Sequence, residues 1–246
     1  MVAAIDIGNT NIHIGVYAAD RLLAKKTVPV ASNKLDRNIG QFLSLKKING
    51  AAIASVIPRL TRRVVRVIKK CCGVQSLVVT HKLKLPVKLC YEPPETLGAD
   101  RIANVVGGLA LFRCNLIIID FGTATTFDVV SSKGVYLGGA IMPGIGLSAD
   151  MLADRTALLK KIVLKRPKGI IGKNTAECML SGVVNGAAAA ARGIIRSIRA
   201  DRGRSFVPIA TGGWGHFIVQ CIPEIKHYEE NIGLYGILKI YHDNAC

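Results

Sequence analysis

The chain has 246 residues, half of them hydrophobic, so it is too apolar to be intrinsically disordered and long enough to bury a core without disulfide staples. It carries 33 Lys and Arg against 16 Asp and Glu, a formal net charge of +17. An excess of that size is typical of proteins that bind nucleic acid or an anionic surface. Most of the excess lies in residues 1–115, at +12, and the remainder carries only +5.

The first half alternates apolar and polar residues in short runs before helical patterns begin. Strands are predicted at Val2–Ile5, Ile12–Tyr17, Leu22–Val30, Ala51–Ile57 and Leu77–Thr80. Helices are predicted at 35–47, 59–70 and 101–112, and the proline-rich residues 81–97 are predicted to form a loop.

The predicted helix at 59–70 has one strongly basic face, formed by Arg59, Arg62, Arg63, Arg66 and Lys70 at helical spacing. The opposite side is apolar, and Pro58 suits a first helical turn. A solvated surface is the favoured interpretation, and a docking face for a polyanion is the alternative. No aromatic residue lies within this helix, so nothing in it predicts base stacking.

The second half repeats the order of the first. Strands are predicted at Leu116–Ile119, Thr125–Val130, Val135–Ile141 and Phe206–Ala210, and helices at 173–200 and 232–241. Each half opens with a buried strand that ends in Asp-x-Gly, at Asp6 and at Asp120. This repetition predicts an internal duplication with a ligand cleft between two halves, 1–115 and 116–246.

The two Asp-x-Gly segments carry the chemistry of a phosphate site. Glycine lets backbone N–H groups approach a ligand closely, and the threonines after it can donate to phosphate oxygens. The carboxylates of Asp6 and Asp120 can hold a cation that offsets phosphate charge. A single copy is better explained as a hairpin turn capped by Asp. Two copies in the same strand–turn–strand context favour phosphate binding.

Two further segments have both a structural and a functional interpretation. Thr211-Gly212-Gly213 follows a predicted strand, where a nucleotide can approach a helix N-terminus, although glycine pairs are common there. Asp100, in Gly98-Ala99-Asp100-Arg101, is predicted from its chemistry alone to be the N-cap of helix 101–112, with Arg101 exposed. The functional interpretation makes Asp100 a base and Arg101 the group that binds an anionic substrate, and both can hold.

The seven cysteines form no C-x-x-C pair, so free thiols in a reducing cytoplasm are expected. The first residues lack the features of a signal peptide. No run of 18 apolar residues occurs, so no membrane span is predicted.

Together these motifs resemble the type III pantothenate kinase family, in order and over nearly the whole chain. The matching segments are Asp6-Ile7-Gly8-Asn9-Thr10-Asn11, Gly98–Arg101, Asp120–Thr126, Tyr136–Gly144, Gly172–Thr175, Thr211–Gly213 and Asn231–Gly236. The resemblance implies the fold of the sugar kinase, Hsp70 and actin superfamily, which is α/β with two ribonuclease-H-like halves around an ATP cleft. It also implies ATP-dependent phosphorylation of pantothenate, the first step of coenzyme A biosynthesis.

The resemblance implies residue roles as well. ATP would be bound by Thr123 and by the first loop, Asp6, Ile7, Gly8, Asn9, Thr10, Asn11, Ile12 and His13. Pantothenate would be bound by Tyr91, Gly98, Ala99, Asp100, Arg101 and Thr175, with Asp100 as proton acceptor. Asp120 would bind a monovalent cation, K⁺ or NH₄⁺, and Mg²⁺ would arrive with ATP.

The family also implies a homodimer with the substrate site close to the subunit interface. A cytoplasmic location is expected from the free thiols, and no binding to membranes or nucleic acid is expected. The chain departs from the family at Trp214-Gly215-His216, where small or polar residues are expected, and in its high charge. Two alternatives are a different small-molecule kinase of the superfamily and a catalytically idle regulator that binds nucleic acid through its basic face.

Overall fold

A computed structural model describes residues 1–245. The strands are β1 (Val2–Ile7), β2 (Asn11–Ala18), β3 (Arg21–Pro29), β4 (Gly50–Ser55), β5 (Ser76–Val78), β6 (Lys88–Leu89), β7 (Leu116–Phe121), β8 (Ala124–Val130), β9 (Val135–Pro143), β10 (Val207–Thr211) and β11 (His227–Tyr228). The helices are α1 (Leu35–Ser44), α2 (Pro58–Cys72), α3 (Ala99–Phe112), α4 (Ile145–Asp154), α5 (Thr175–Arg202), α6 (Gly215–Ile218) and α7 (Ile232–Asn244).

The chain divides into two compact units. The first contains residues 1–113, 132–137 and the described residues from 231 onward, and the second contains residues 114–131 and 138–230. The first break lies close to the predicted boundary between residues 115 and 116. Helix α7 nevertheless packs in the first unit, against α3, β1 and β4. The halves 1–115 and 116–246 follow the order of the repeated elements, and that division stays a prediction.

The sheet of the first unit has the strand order β3-β2-β1-β4-β5. Strands β1, β2 and β3 pair antiparallel, and β1, β4 and β5 pair parallel. The short strand β6 pairs in parallel with the first residues of β9, which also belong to this unit. Parallel pairing of β1 with β4 requires a crossover, which α1 provides.

The second unit repeats this arrangement in the order β9-β8-β7-β10-β11. Strand β7 pairs antiparallel with β8 and parallel with β10, as β1 does with β2 and β4. The predicted α/β class and the repeated strand order are therefore confirmed.

The two faces of the first sheet bury different side chains. Ile5, Ile14 and Ile53 are fully buried in one core cluster with Leu35 and Ile39 of α1. This is the period of two expected when a strand buries one face against a helix. The other face carries small residues, and Gly15 there lies close to Leu234 of α7. Small side chains let α7 approach the sheet.

Several sequence predictions need correction. Asp100 is not the N-cap of α3, because Gly98 takes that position and Asp100 lies in the first turn, where its carboxylate accepts the Arg101 N–H at 2.8 Å. Arg101 is buried and not exposed. The predicted loop 81–97 contains β6 and a short 3₁₀ turn at Pro94–Thr96. Helix α4 and strand β11 were not predicted.

The surface of α2 and the composition of α5 bear on two further predictions from the sequence. The basic residues of α2 are exposed, while Leu60, Val64 and Ile68 on its opposite side are buried, so the predicted amphipathic surface helix is confirmed. One helix among residues 1–245, α5, is long and apolar enough to span a membrane by length and composition, with 44% of its most apolar window buried. A core helix passes the same test, so this is weak evidence for a membrane.

Candidate active site

The first Asp-x-Gly loop joins β1 to β2 in a tight turn. The Gly8 N–H donates to the Asn11 carbonyl at 3.0 Å, and the Val30 N–H donates to the Thr10 carbonyl at 2.9 Å. Asn9 and Thr10 are exposed at the tip, whereas the side chains of Ile7 and Ile12 are fully buried. Of the predicted ATP-binding residues, Ile7 and Ile12 therefore offer a ligand only their backbone.

This loop lies beside the start of α3 within the first unit. The Val56 N–H, just after β4, donates to the Ile7 carbonyl at 3.2 Å. A Cβ built on Gly98 would lie 3.8 Å from Cγ1 of the same Val56. The carboxyl ends of β1 and β4 and the N-terminus of α3 thus meet at one edge of the sheet. Because glycine has no side chain, Gly98 also leaves room for the Asp100 carboxylate, which a Cβ there would overlap.

Arg101 is held in place among aromatic rings. Its guanidinium donates to the Tyr136 hydroxyl at 2.7 Å and lies 5.7 Å from the ring centre of Tyr91 and 5.9 Å from that of Tyr136. The two rings are themselves 5.9 Å apart. Arg101 is only 6% exposed, so its guanidinium is buried, while its backbone N–H contacts the Asp100 carboxylate. A guanidinium held this way is suited to bidentate recognition of a carboxylate.

Tyr136 contacts Arg101 but was not among the site residues predicted from the sequence. It appeared there only as part of a glycine-rich segment, with no role. In the structure it is fully buried at the start of β9, where its carbonyl accepts the Cys90 N–H at 3.0 Å. The sequence distance of 35 residues from Arg101 gives no signal of this contact, which depends on β6 pairing with β9.

In the second unit, the Asp120 segment meets the glycine pair after β10. Thr211 lies in parallel register with Asp120, and Gly212 follows with a φ of +86°. A Cβ on Gly212 would overlap the Asp120 carboxylate and lie 2.7 Å from the Phe121 backbone. The Trp214 N–H donates to the Phe121 carbonyl at 3.0 Å. Gly212 is therefore required both by its φ and by this close approach.

The loop after β9 contacts the turn between β7 and β8. The Gly144 N–H donates to the Thr123 carbonyl at 3.1 Å, and a Cβ there would overlap the carbonyl oxygens of Gly122 and Thr123. The Tyr228 hydroxyl donates to the Gly212 carbonyl at 3.2 Å. Burial is the main cause that raises the pKa of Tyr228, and the charges of Glu230, Asp120 and Glu229 add to it. The carboxylates of Asp120, Glu229 and Glu230 therefore all act on the Tyr228 hydroxyl.

Thr175 occupies the first turn of α5 and is exposed. The helix begins with a reciprocal cap, in which Asn174 accepts the Glu177 N–H at 3.0 Å and Glu177 accepts the Lys173 N–H at 2.9 Å. The hydrogen bond from Lys173 is the main cause that lowers the pKa of Glu177. This cap fixes where Thr175 presents its hydroxyl, at a helix end that attracts anions.

The donor groups of the two Asp-x-Gly loops differ in chemistry. Exposed amide and hydroxyl groups in the Gly8–Thr10 turn can donate to phosphate oxygens. The Asp120 carboxylate lies against a backbone cradle that only glycine leaves open, and oxygen ligands of this kind suit a hard cation. Over residues 1–245, no cluster of three or more His, Cys, Asp or Glu is arranged to hold a metal ion.

Comparison with known proteins identifies the family. The model of the type III pantothenate kinase family matches residues 2–197. A type III pantothenate kinase from Moorella thermoacetica is 40% identical over 254 aligned positions that span all of both chains. Another, from Thermomicrobium roseum, is 37% identical and covers 98% of this chain and 96% of that protein.

Solved structures of more distant proteins share the fold. Component A of (R)-2-hydroxyglutaryl-CoA dehydratase from Acidaminococcus fermentans superposes with a TM-score of 0.58 at 13% identity, over 98% of this chain and 96% of that one. The inorganic polyphosphate/ATP-glucomannokinase from Arthrobacter superposes with a TM-score of 0.51 at 12% identity, over 98% of both chains. The fold, the full-length identity and the family match lead to one conclusion: this chain belongs to the type III pantothenate kinase family.

Proposed function

We propose that this protein transfers the γ-phosphoryl group of ATP to the primary hydroxyl of pantothenate, forming 4′-phosphopantothenate for coenzyme A biosynthesis. The observation that carries the proposal is the buried Arg101, held by Tyr136 beside Asp100 at the edge of the sheet where β1 ends. Pantothenate has one carboxylate and one primary hydroxyl, so it needs a cation to bind it and a base to activate it. Arg101 and Asp100 supply this pair.

Substrate binding rests on the first turn of α3 and its neighbours. Arg101 binds the carboxylate of pantothenate with its guanidinium, which its two aromatic neighbours orient. Tyr91 is half-buried, and its ring lies near the Arg101 guanidinium. In this proposal it also contacts the substrate. Gly98 and Ala99 add close backbone contact, and Thr175 contributes its hydroxyl.

Asp100 accepts the proton of the attacking hydroxyl. One carboxylate oxygen is already engaged by the Arg101 N–H, which fixes the plane of the group. In this proposal the second oxygen accepts the proton of the substrate hydroxyl. A positioned general base contributes about 10²–10⁴ to the rate of such a step.

Phosphoryl transfer requires mainly positioning and charge neutralisation, and the two loops supply both. In this proposal ATP is bound by Asp6, Gly8, Asn9, Thr10, Asn11 and His13, by the backbone of Ile7 and Ile12, and by Thr123. Mg²⁺ that arrives with ATP neutralises phosphate charge when bound. Asp120 holds a monovalent cation, K⁺ or NH₄⁺, which its glycine cradle supports.

The active form is proposed to be a cytoplasmic homodimer. Eight of the exposed large apolar residues fall within residues 141–171, namely Ile141, Leu147, Met151, Leu152, Leu158, Val163, Ile170 and Ile171. In this proposal these residues contribute to an interaction surface, because exposed apolar patches mark such surfaces. A second copy of the chain covers it in this proposal.

The experiment is a coupled assay of ADP release in potassium buffer, with and without pantothenate, against a panel of other hydroxyl acceptors. Asp100→Asn is expected to lower kcat by about 10²–10⁴ because the proton acceptor is lost. Glu95→Gln is the matched control, since this exposed carboxylate lies five residues earlier and is not among the proposed site residues. ADP release that does not depend on pantothenate, or wild-type turnover in Asp100→Asn, would contradict the proposal.

The cation site has its own test. Replacing K⁺ by Na⁺ at constant ionic strength is expected to reduce turnover sharply, and Asp120→Asn is expected to remove that difference. Equal turnover of the wild-type protein in the two salts would contradict the assignment of a cation site to Asp120.

A further inference from the structure

Two adjacent cysteines lie at the C-terminal end of α2, in the first unit and outside the proposed active site. The sulfur atoms of Cys71 and Cys72 are 3.4 Å apart. Neighbouring residues on a helix normally point in different directions, so this contact depends on the rotamers of both side chains. Helix α2 ends immediately afterwards, at Gly73 with a φ of +73°. No other two cysteine sulfurs among residues 1–245 are in contact.

The backbone does not favour a disulfide between them. The peptide bond between Cys71 and Cys72 is trans, which places their Cα atoms about 3.8 Å apart. The Cα atoms of a disulfide are usually about 4.4–6.8 Å apart. Closing the bond would therefore strain the last turn of α2. A single atom bonded to both sulfurs keeps them further apart than a direct S–S bond, so it does not require the Cα atoms to separate.

The separation of the sulfurs limits which atom fits between them. A centre bonded to both at about 2.3 Å, the zinc–thiolate distance, would have an S–centre–S angle of about 95°. Tetrahedral zinc prefers a wider angle and four ligands, and the described residues offer no cluster of three. A three-coordinate atom that carries a lone pair has bond angles narrower than the tetrahedral angle. If one of its three ligands is an organic group that it already carries, it needs only two sulfurs from the protein.

We propose that Cys71 and Cys72 form a bidentate binding site for trivalent arsenicals, in which both sulfurs bond one arsenic atom. The condensation with an arsine oxide breaks two S–H bonds and both bonds of the As=O group. It forms two As–S bonds and one water molecule. Arsenic stays trivalent, so the step requires no oxidant or reductant.

The surroundings of the pair agree with this chemistry. Both side chains are half-buried and pack against the apolar core below α2. Burial, with the hydrogen bond and charge of Cys71, raises the pKa of Cys72 to about 12, so Cys72 is a thiol at neutral pH. Reagents that need a thiolate react slowly with such a group. The condensation consumes two neutral thiols and releases no net proton.

The test uses the full-length reduced protein and phenylarsine oxide. Intact-mass spectrometry is expected to show one phenylarsenic group per chain, with the loss of two hydrogens. Trypsin cleaves after Lys70 and Lys82, so one peptide, residues 71–82, contains both cysteines and no other. The adduct is expected on that peptide, and it should be removed by 2,3-dimercaptopropanol but not by a tenfold larger amount of a monothiol.

Variants supply the second measurement. Cys71→Ser and Cys72→Ser should each abolish the dithiol-reversible adduct, and Cys90→Ser, at an exposed lone cysteine, should keep it. Far-ultraviolet circular dichroism checks that each variant is folded. The proposal is overturned if the adduct maps outside residues 71–82 in the wild-type chain, or if it persists in either single variant. These outcomes do not depend on kinase turnover.

Discussion

At Gly212 the backbone comes closer to a carboxylate than any side chain would allow. Gly212 and Gly213 are adjacent and chemically identical, yet their surroundings differ. A Cβ on Gly212 would overlap the Asp120 carboxylate, and its φ is positive, whereas a Cβ on Gly213 would meet no atom within 4 Å. The two positions therefore form a matched pair for mutation.

Gly212→Ala is expected to reduce kcat/KM for ATP by at least about tenfold, because it displaces Asp120, and to destabilise the protein by about 1–3 kcal/mol through backbone strain. Gly213→Ala is expected to change both quantities little. Steady-state kinetics and urea denaturation measure them. Equal behaviour of the two variants would show that the cradle around Asp120 is unimportant.

Tyr136 is a positioning residue in the proposed mechanism, because it acts on the substrate through Arg101. Tyr136→Phe keeps the ring and removes the hydroxyl that accepts the guanidinium hydrogen bond. We expect KM for pantothenate to rise about tenfold, which corresponds to about 1.4 kcal/mol, with kcat and KM for ATP nearly unchanged. Tyr235→Phe is the control. It removes the hydroxyl of a ring that lies under the Lys239 ammonium group. A merely structural role would lower stability without this selective change in KM.

Helix α3 and helix α7 approach each other through glycine. A Cβ on Gly236 of α7 would overlap the Ala103 carbonyl of α3, and one on Gly107 would overlap the Ile232 carbonyl. The first turn of α3 carries Asp100 and Arg101, so this packing also sets the position of the proposed substrate site. The sequence shows glycines in helical stretches but gives no indication of what they face.

Alanine substitutions test this packing with opposite expected signs. Gly236→Ala is expected to destabilise the protein by about 1–3 kcal/mol, because the two backbones must separate. Gly193→Ala, in α5 with open space around it, is expected to stabilise it by up to about 1 kcal/mol through helix propensity. Chemical denaturation measures the free energy of unfolding of both variants. A neutral Gly236→Ala would show that the close approach is not needed.

At the scale of the whole molecule, two surface features lie in different units of the chain. The exposed basic face of α2 lies in the first unit and matches no residue of the proposed site. The exposed apolar residues of 141–171 lie in the second unit. Leu147 and Met151 are one helical turn apart on α4, and each is more than 40% exposed.

A double substitution on α4 tests the proposed dimer. Leu147→Glu with Met151→Glu places two carboxylates on this surface, so sedimentation velocity is expected to show a shift from dimer to monomer. Leu45→Glu changes a side chain that is 84% exposed in the first unit and is expected to leave the dimer intact. A monomeric wild-type protein, or a double variant that stays dimeric, would contradict the prediction.

The sequence by itself determined the elements and the family. Period-two and helical patterns predicted nearly all long strands and helices because each buries one face. The repeated Asp-x-Gly order predicted the duplicated strand order that the two sheets share. The predicted site residues stay predictions, and their placement adds support to them. The +17 charge, which first suggested nucleic acid, marks the exposed surface and not the family.

Only the tertiary structure decided which distant residues meet. The burial of Arg101 against Tyr136 depends on β6 pairing with β9, and the contact of Gly212 with Asp120 depends on β10 pairing with β7. Local chemistry made Asp100 a helix cap and Arg101 a surface residue, because a capping pattern depends only on near neighbours. Burial is a property of the packed chain, so the sequence pattern alone assigned it wrongly.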